Sequence, residues 1–513
     1  MAQSASGCAT LDTTLVDTQK TPVDRRVLIG LLLALTVLLH VATAGWGPLN
    51  NGSEGIAAAT ARSMIEKDGG WLHPDFAGQE IVPDDWLSTW LTATSFQILG
   101  RTEFAARLPQ ALGVLLMVWW IFLIGERPGG TWRGMAAGLI ATTCIGAFPY
   151  GNAAGGGTLW AALVTGALYY LCRCLEQVPD RKPFVLRFWL LMALCVWVGP
   201  PAWFIYPFAI IGLLIGCFRT ARMRLGDLRK GWGLWLFGFV LVVRLWLTSG
   251  SGFRELATAS SVPPQAVFWY FFPWALVVLL PFLLRCKKVL RVAEMEATDA
   301  LPWIWLALTP LVFGFGHFDI LVALSWPAFA ICAVIVWERI TSRMRLFGIG
   351  LLLATAIAAF FAMPHFTGKE MSAALSPGWW LSCGAIIAFG LVAFAVTIMG
   401  QSRAALLAIS AAVIPLGFNL LDAQKHVAEW TSGRSLAEVF LPATHEKDVL
   451  YTNENPATIS GFLFYWRGDV KRLDQIAPAK KAFLLVPKAS YTGHGKRLSE
   501  NASHVLLLQE PGQ

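Results

Sequence analysis

Residues 103–125, EFAARLPQALGVLLMVWWIFLIG, decide the fold class, because a polar start passes directly into a long apolar run. A membrane-spanning helix needs roughly 20 predominantly apolar residues. Arg107 and Pro109 mark the entry to this predicted helix, and the apolar run continues to Gly125. The pattern predicts an integral membrane protein rather than a soluble domain.

The composition of the whole chain favours the same class. The 513 residues are 56% hydrophobic and 14% charged, whereas soluble domains carry about 25% charged residues. The 24 Trp and 32 Phe are typical of membrane helices, in which Trp lies at the lipid–water interface. The net charge of +8 is spread over short loops, so we expect no nucleic-acid partner. The nine Cys lack metal-ligand spacing, so we expect buried, reduced thiols.

Apolar runs of spanning length recur along the chain and predict an α-helical polytopic membrane protein with about 13 transmembrane helices. The least certain division lies at Gly199-Pro200-Pro201, which could kink one helix or separate two. The predicted spans are residues 27–45, 108–125, 134–150, 157–175, 187–201, 202–218, 232–249, 265–285, 301–316, 320–337, 346–363, 378–399 and 404–421.

The distribution of basic residues predicts the orientation, because cytoplasmic loops collect Lys and Arg. An Arg pair precedes the first apolar run, and the later loops alternate between rich and poor in basic residues. We therefore expect a cytoplasmic tail, residues 1–26, and a transmembrane domain over residues 27–421. An odd number of helices then places the loop 46–107 and the tail 422–513 on the periplasmic side of a bacterial inner membrane.

The two predicted periplasmic segments have local patterns of their own. SEGIAAATARSMIEKDGG, residues 53–70, predicts a helix with Ser53 as its N-cap that ends at the Gly pair. In the tail, DVLYTN, GFLFYWRG, KAFLLVPK and HVLLLQE predict short strands separated by Gly, Pro and Asn turns. The tail is therefore expected to form a small C-terminal α/β domain.

The order of motifs along the chain resembles that of GT-C glycosyltransferases of the protein O-mannosyltransferase and lipid A aminoarabinose transferase group. The resemblance implies transfer of a sugar from a polyprenyl (undecaprenyl) phosphate donor to a lipid, glycan or protein acceptor at the outer face of the bilayer. The motifs that carry it are Ser53-Glu54-Gly55, Pro83-Asp84-Asp85-Trp86, Arg107-Leu108-Pro109, Trp269-Tyr270, Trp326-Pro327 and Leu463-Phe464-Tyr465-Trp466.

The sequence departs from this family at several charged positions. Ser53 stands where the family has Asp, and Asp84 stands where it has Lys. His317 and Asp319 lie near another position where the family's Lys is missing. A lipid-phosphate leaving group gains negative charge that Lys or Arg would stabilise. Since like charges 4 Å apart cost about 4 kcal/mol at an effective dielectric near 20, Asp84 requires a compensating cation.

Three carboxylates of the first loop are the candidate catalytic groups. Glu54 could act as a general base or metal ligand, or it could be a first-turn Glu favoured by the helix dipole. Asp84 and Asp85 could hold a divalent metal ion or share a proton, or they could form a solvated turn after Pro83. A divalent ion is the single cofactor that these residues suggest.

Cationic and aromatic side chains are the candidate substrate-binding groups. Arg244 lies in the apolar run LVVRLWL, where Arg either marks a functional site or extends to the interface. Arg107 could bind substrate or pair with Glu103, four residues earlier. The aromatic residues could stack on a sugar or an isoprenoid, or anchor the chain at the interface. The full set is Arg62, Arg107, Arg244, Trp269, Tyr270, His317 and Asp319.

Three functions remain open at this point. The first is an active glycosyltransferase, as the resemblance implies. The second is a catalytically degenerate homologue that acts as a lipid-glycan-binding accessory protein. The third is a transporter or lipid flippase, which would place charged residues at mid-membrane on broken helices. The apolar segments hold almost no charged residues, so the third function has the least support.

Overall fold

The computed structural model of the protein describes residues 24–509 apart from a set of gaps. Most of the predicted cytoplasmic tail therefore lies outside the described residues, which begin at Asp24. The gaps are residues 67–69, 82, 84, 152, 156, 200–202, 204, 231, 250–264, 285–294, 314–317, 367–368, 432, 439–448, 467–468, 472–481, 492–495 and 501–503.

Helices make up most of the described chain, as the apolar runs predicted. A π-helical turn, Val37–Val41, extends the first of them. The helices are α1, Arg25–Thr36; α2, Ser53–Glu66; α3, Trp86–Leu99; α4, Glu103–Thr143; α5, Ala147–Gly151; α6, Thr158–Leu175; α7, Lys182–Val198; α8, Ile205–Cys217; α9, Arg219–Arg224; α10, Trp232–Ser249; α11, Gln265–Tyr270; α12, Ala297–Phe313; α13, Phe318–Arg339; α14, Ser342–Phe366; α15, Lys369–Ile398; α16, Ser402–Thr431; α17, Arg434–Glu438; and α18, Ser460–Tyr465.

The described helices confirm a polytopic membrane protein. Six stretches are long and apolar enough to cross a bilayer, and a seventh arises if the pair Ile205–Cys217 and Arg219–Arg229, bent by 116°, is one span. The predicted number of about 13 is not confirmed, since several predicted spans fall on short helices or across gaps. The six stretches are Glu103–Thr143, Thr158–Leu175, Leu321–Arg339, Ser342–Phe361, Gly378–Ile398 and Ser402–His426.

Helix α4 contains most of two predicted spans, 108–125 and 134–150, because the chain reverses within it. Gly130 has a φ of 77°, which side chains other than Gly rarely adopt. A Cβ atom on Gly134 would lie 2.7 Å from the carbonyl oxygen of Phe122. In a straight helix these two positions would be about 18 Å apart. The two halves of α4 therefore turn back on each other.

The apolar core of the membrane region lies around α6 and α13. Their spanning residues are 83% and 94% buried, whereas those of α14 and α15 are 22% and 33% buried. Helices α14 and α15 therefore present apolar side chains outward, which fits contact with lipid. All seven cysteines of the described ranges are free, and Cys217 alone among them is exposed.

The C-terminal segment forms the predicted sheet. Its strands are β3, Val449–Tyr451; β4, Asp469–Lys471; β5, Ala482–Pro487; β6, Lys496–Glu500; and β7, His504–Gln509. The strand order is β4-β3-β5-β7-β6, with β3 parallel to β4 and β5, and β7 antiparallel to β5 and β6. A separate two-stranded hairpin, β1 (Asp75–Phe76) and β2 (Gln79–Glu80), lies in the first loop.

One predicted strand is wrong: the described part of GFLFYWRG is the helix α18. Phe462, Leu463 and Phe464 are consecutive and all buried, a pattern that alternation in a half-exposed strand cannot produce. Phe462 and Leu463 pack in the core of the C-terminal sheet, whereas Phe464 packs in the core of the first loop. A helix buries all three because it lies between two apolar surfaces.

Helix α18 packs closely against α2, the predicted first-loop helix. A Cβ atom on Gly55 would lie 2.5 Å from the backbone nitrogen of Gly461. The Ser460 hydroxyl accepts a hydrogen bond from the Gly52 amide at 2.8 Å, and the Gly461 amide donates to the Asn51 Oδ1 at 2.9 Å. Ser53, predicted as the N-cap of α2, is instead its first helical residue.

Replacement of Gly55 by Ala should loosen the contact between α2 and α18. The new methyl group meets backbone that cannot move aside, and such overpacking costs about 1–3 kcal/mol. We expect a lower thermal unfolding temperature in detergent and faster proteolysis of the C-terminal segment. Gly212→Ala is the matched control, because no atom lies within 4 Å of a Cβ there. Equal unfolding temperatures for the two variants would contradict the close packing.

Candidate functional site

A buried ion pair between Arg107 and Glu54 lies at the centre of the first-loop region. The Arg107 Nε donates to the Glu54 Oε1 at 2.6 Å, and each side chain is 4% exposed. Arg107 enters from the first turns of α4, where Thr102 caps the helix by accepting from the Ala105 amide. Glu54 lies in the first turn of α2, where the helix dipole favours a carboxylate.

The same two side chains satisfy the irregular backbone around them. Arg107 donates through Nη1 to the carbonyl oxygens of Ala44 and Gly47, at 3.2 and 2.8 Å, and through Nη2 to that of Pro48 at 2.7 Å. These carbonyls belong to the turn that leads from α1 to α2. The guanidinium therefore uses its donors to fix a loop that has no regular structure of its own.

The Glu54 carboxylate also accepts several hydrogen bonds from its surroundings. Its Oε2 accepts from the backbone amide and the side-chain amide of Asn50, at 2.8 and 3.0 Å. Its Oε1 also accepts from the Ala154 amide at 3.2 Å. Four donors, counting the Arg107 Nε, thus converge on one carboxylate. This geometry is that of a structural ion pair, and the role of Glu54 as a general base stays a prediction.

The sequence left open a pairing of Arg107 with Glu103, four residues earlier. The structure does not form this pair, because Glu103 contacts other groups. The Tyr465 hydroxyl donates to the Glu103 Oε1 at 2.9 Å and accepts from the Leu49 amide at 3.3 Å. Arg434 pairs with Glu103 at 3.0 Å. Burial, reinforced by the Glu103 carboxylate, raises the pKa of Tyr465, so its hydroxyl stays protonated and continues to donate.

Arg62, a predicted substrate contact, lies against the end of α18. Its Nη1 donates to the carbonyl oxygens of Leu463 and Phe464, at 3.0 and 2.7 Å, and to that of Trp466. Its Nε also pairs with Glu66 at 3.2 Å. Cations are favoured at helix C-termini, where carbonyl groups lack partners within the helix. Arg62 therefore joins the first loop to the C-terminal domain.

Arg244 connects a membrane helix to the segment that precedes α3. The side chain is fully buried, and its Nη2 donates to the Pro83 carbonyl oxygen at 3.1 Å. Asp85 follows at the start of α3, where its carbonyl and carboxylate oxygens accept from the Thr89 hydroxyl at 2.9 and 3.3 Å. Asp84 lies outside the described residues. The contact brings the one predicted intramembrane Arg to the predicted acidic segment.

An aromatic cluster that the sequence interpretation missed lies beside this contact. Trp86 and Trp90 have ring centroids 5.5 Å apart, and Trp90 stacks on Trp197 at 5.9 Å. The Trp90 indole donates to the Trp71 carbonyl at 3.0 Å. The indole Nε1 of Trp86 is buried and has no hydrogen-bond partner among the described residues. Three Trp at positions 71, 86 and 90 were the available sequence signal.

The remaining predicted substrate contacts lie elsewhere or outside the described residues. Trp269 is 51% exposed, and the Tyr270 carbonyl accepts from the Gly146 amide just after α4. His317 falls in a gap, and Asp319 lies in α13. Their roles stay predictions.

The suggested metal ion also stays a prediction. Within the described ranges, no three His, Cys, Asp or Glu side chains gather as a metal site would require. The acidic segment that prompted the suggestion includes Asp84, which lies in a gap.

Comparison with known proteins gives the fold a context. The sequence model of a family described as dolichyl-phosphate-mannose-protein mannosyltransferase matches residues 86–246. No curated protein matches the sequence. The crystal structure of ArnT from Cupriavidus metallidurans is similar both with bound undecaprenyl phosphate and in the apo state, with TM-scores of 0.73 and 0.74 at 16% identity. Each comparison covers 94% of this chain and 97% of the ArnT chain.

A more distant similarity extends beyond ArnT. The Archaeoglobus fulgidus oligosaccharyltransferase, in complex with Zn and sulfate, has a TM-score of 0.50 at 11% identity, over 88% of this chain and 63% of its own. These identities are low enough that the similarity concerns the fold alone. The chain therefore has the GT-C fold, in the form found in ArnT.

Proposed function

We propose that the protein is a membrane glycosyltransferase that moves a sugar from an undecaprenyl-type phosphate donor to a lipid, glycan or protein acceptor. The observation that carries the proposal is the end-to-end similarity to ArnT, whose crystal structure holds undecaprenyl phosphate. The family match begins at Trp86 and ends at Trp246. It thus includes both Arg244 and the aromatic cluster at the start of α3. Fold similarity alone does not define a reaction, so the site must supply the chemistry.

Arg244 is the proposed contact of the donor phosphate. A cation buried in an apolar helix is costly unless it meets an anion or several acceptors. Its contact with Pro83 places it beside the segment in which, by the resemblance to the family, Asp84 stands at the position of a Lys. A guanidinium suits phosphate because it can donate two parallel hydrogen bonds. On this proposal, Arg244 supplies the positive charge that the resemblance assigns to a Lys at the position of Asp84.

The aromatic cluster supports a binding surface next to that phosphate. Trp86, Trp90 and Trp197 present aromatic rings on which a sugar ring or an isoprenoid unit can pack. The buried Trp86 indole N–H is a donor that a ligand hydroxyl or phosphate oxygen could accept from. Such a donor is unfavourable in the empty site and becomes paired when ligand is bound.

Of the carboxylates that the structure describes, Asp85 fits the role of acceptor activation better than Glu54. Asp85 is partly exposed and lies at the loop–helix junction next to Pro83. Glu54 is buried, and its carboxylate already accepts hydrogen bonds from four donors. A general base must reach the proton that it removes, and a carboxylate enclosed by structural hydrogen bonds cannot. We therefore assign Glu54 a structural role, in which it holds the first loop that carries the site.

Replacement of Arg244 should remove sugar transfer. Purified protein in detergent, given radiolabelled undecaprenyl-phosphate sugars and membrane extract, should release undecaprenyl phosphate. Loss of one group that stabilises transition-state charge lowers the rate about 10²–10³-fold. The transfer rate of Arg244→Gln should therefore fall to that extent, and that of Arg244→Lys should fall less. Arg222→Gln, at an exposed arginine of the short helix α9, is the control and should retain the wild-type rate.

The same assay separates the proposal from the accessory-protein alternative. A silent wild type that still binds the lipid donor would reject the enzyme and favour a catalytically degenerate homologue. Equal rates for wild type and Arg244→Gln would reject the assignment of Arg244.

The orientation in a bacterial inner membrane, with the first loop and the C-terminal domain in the periplasm, is also a proposal. It is tested with single cysteines in a background in which Ser replaces Cys217, which is exposed, and Cys8 and Cys286, which lie outside the described residues. A membrane-impermeant maleimide should label Gln97→Cys, an exposed position at the end of α3, in cells with a permeabilised outer membrane. Lys230→Cys, in a basic loop, should react only after the cells have been lysed. The reverse pattern would contradict the proposed topology.

A further inference from the structure

The chain turns sharply between the apolar helices α8 and α10. The segments Ile205–Cys217 and Arg219–Arg229 are bent by 116° relative to each other, so the second segment runs across the end of the first. Helix α10 begins soon afterwards, at Trp232. Arg219–Arg229, which we call the connecting segment, therefore joins two apolar helices at the same end of both.

Its contacts place the connecting segment at the edge of the bilayer. Arg224 donates a hydrogen bond to the carbonyl oxygen of Leu175, which is the last residue of the apolar stretch Thr158–Leu175. Trp232, which follows the segment, is 61% exposed, as expected of a Trp at the lipid–water interface. The connecting segment therefore lies at the level of the lipid headgroups.

One face of the connecting segment packs on the protein. Ala221, Leu225 and Leu228 are buried, and their spacing of four and three residues places them on one side of a helix. The Trp189 indole of α7 donates to the Leu228 carbonyl oxygen at 2.9 Å. These contacts hold the segment in place and leave its other face directed away from the protein.

The outward face carries a cluster of cations. Arg219, Arg222 and Arg229 are exposed, and within the described part of the chain none of them pairs with a carboxylate. Met223 lies among them and is 65% exposed. The face thus combines three available guanidinium groups with one apolar side chain.

The acidic residue of the segment does not neutralise this face. Asp227 is the single Asp or Glu of the sequence between positions 180 and 255. Its carboxylate accepts from the Lys230 Nζ at 2.9 Å and pairs with Arg181 at 3.5 Å. Two other cations therefore occupy this carboxylate, and the outward face keeps a net positive charge.

We propose that the connecting segment binds the headgroups of anionic phospholipids. The three guanidinium groups donate to lipid phosphate oxygens through charge-assisted hydrogen bonds, and Met223 inserts among the first carbons of the acyl chains. An apolar side chain among cations suits a bilayer, in which apolar chains lie directly beneath charged headgroups, better than it suits an acidic soluble protein. A basic residue near an anionic membrane surface contributes about fivefold in affinity.

This lipid-binding surface is separate from the proposed sugar-transfer site. Trp232 begins α10, and Arg244 lies 12 residues later, about 18 Å along the helix axis. The arginines of the connecting segment are therefore not part of the site at Arg244. Lipid binding would persist even if the chain transferred no sugar.

Local fluorescence quenching in vesicles tests the proposal. A fluorophore is attached to Met223→Cys in the background with Ser at positions 8, 217 and 286, and the purified full-length chain is reconstituted in phosphatidylcholine. Phosphatidylglycerol or phosphatidylcholine with a nitroxide near its headgroup is then added at equal mole fraction. We expect stronger quenching by phosphatidylglycerol. The double variant Arg219→Gln/Arg229→Gln should lower this preference by about fivefold for each arginine, and Arg219→Lys/Arg229→Lys should keep most of it.

The matched control removes two charges from the C-terminal domain. Lys471 and Lys488 are exposed, and Lys471→Gln/Lys488→Gln should keep the wild-type preference. Thermal unfolding of each variant separates lost binding from lost folding. Equal quenching by the two lipids in the otherwise unchanged chain would overturn the proposal, as would quenching by neither lipid. Equal losses in the arginine and lysine double variants would also overturn it.

Discussion

The arrangement of the first loop and the C-terminal segment depends on one buried ion pair, that between Arg107 and Glu54. A charge removed from water is unfavourable unless its partner and its hydrogen bonds replace the lost solvation. Here the pair and its neighbours form a closed set: Arg107 donates to three loop carbonyls, and Glu54 accepts from three further donors. Removal of either partner would leave the other charged and buried, at a typical cost of about 3–5 kcal/mol.

This constraint explains how irregular segments build a defined surface over the membrane helices. The pair fixes the turn between α1 and α2, and α2 then supports α18 through the contact between Gly55 and Gly461. At the C-terminal end of α18, Arg62 of α2 donates to the carbonyl oxygens of Leu463 and Phe464. The C-terminal segment is thus held on the first loop by backbone groups and by the partly buried Arg62.

The sequence predicted the membrane class, the helix α2 and three of the C-terminal strands, because each depends on local periodicity. It did not predict that Arg107 pairs with Glu54, since residues 53 positions apart meet only through the fold. Helix α18 was mistaken for a strand because a short, fully apolar run is compatible with either structure. Arg244 was identified by its charge within an apolar run, but its contact with Pro83 required the tertiary arrangement.

A double-mutant cycle on the ion pair tests the central claim most directly. The free energy of unfolding in detergent would be measured for wild type, Glu54→Gln, Arg107→Met and the double variant. The account predicts that the double variant loses less stability than the sum of the two single losses, with a coupling of about 2–3 kcal/mol. Additive losses would mean that the two side chains act independently, and would contradict the claim that their pairing organises the first loop and the segments packed on it.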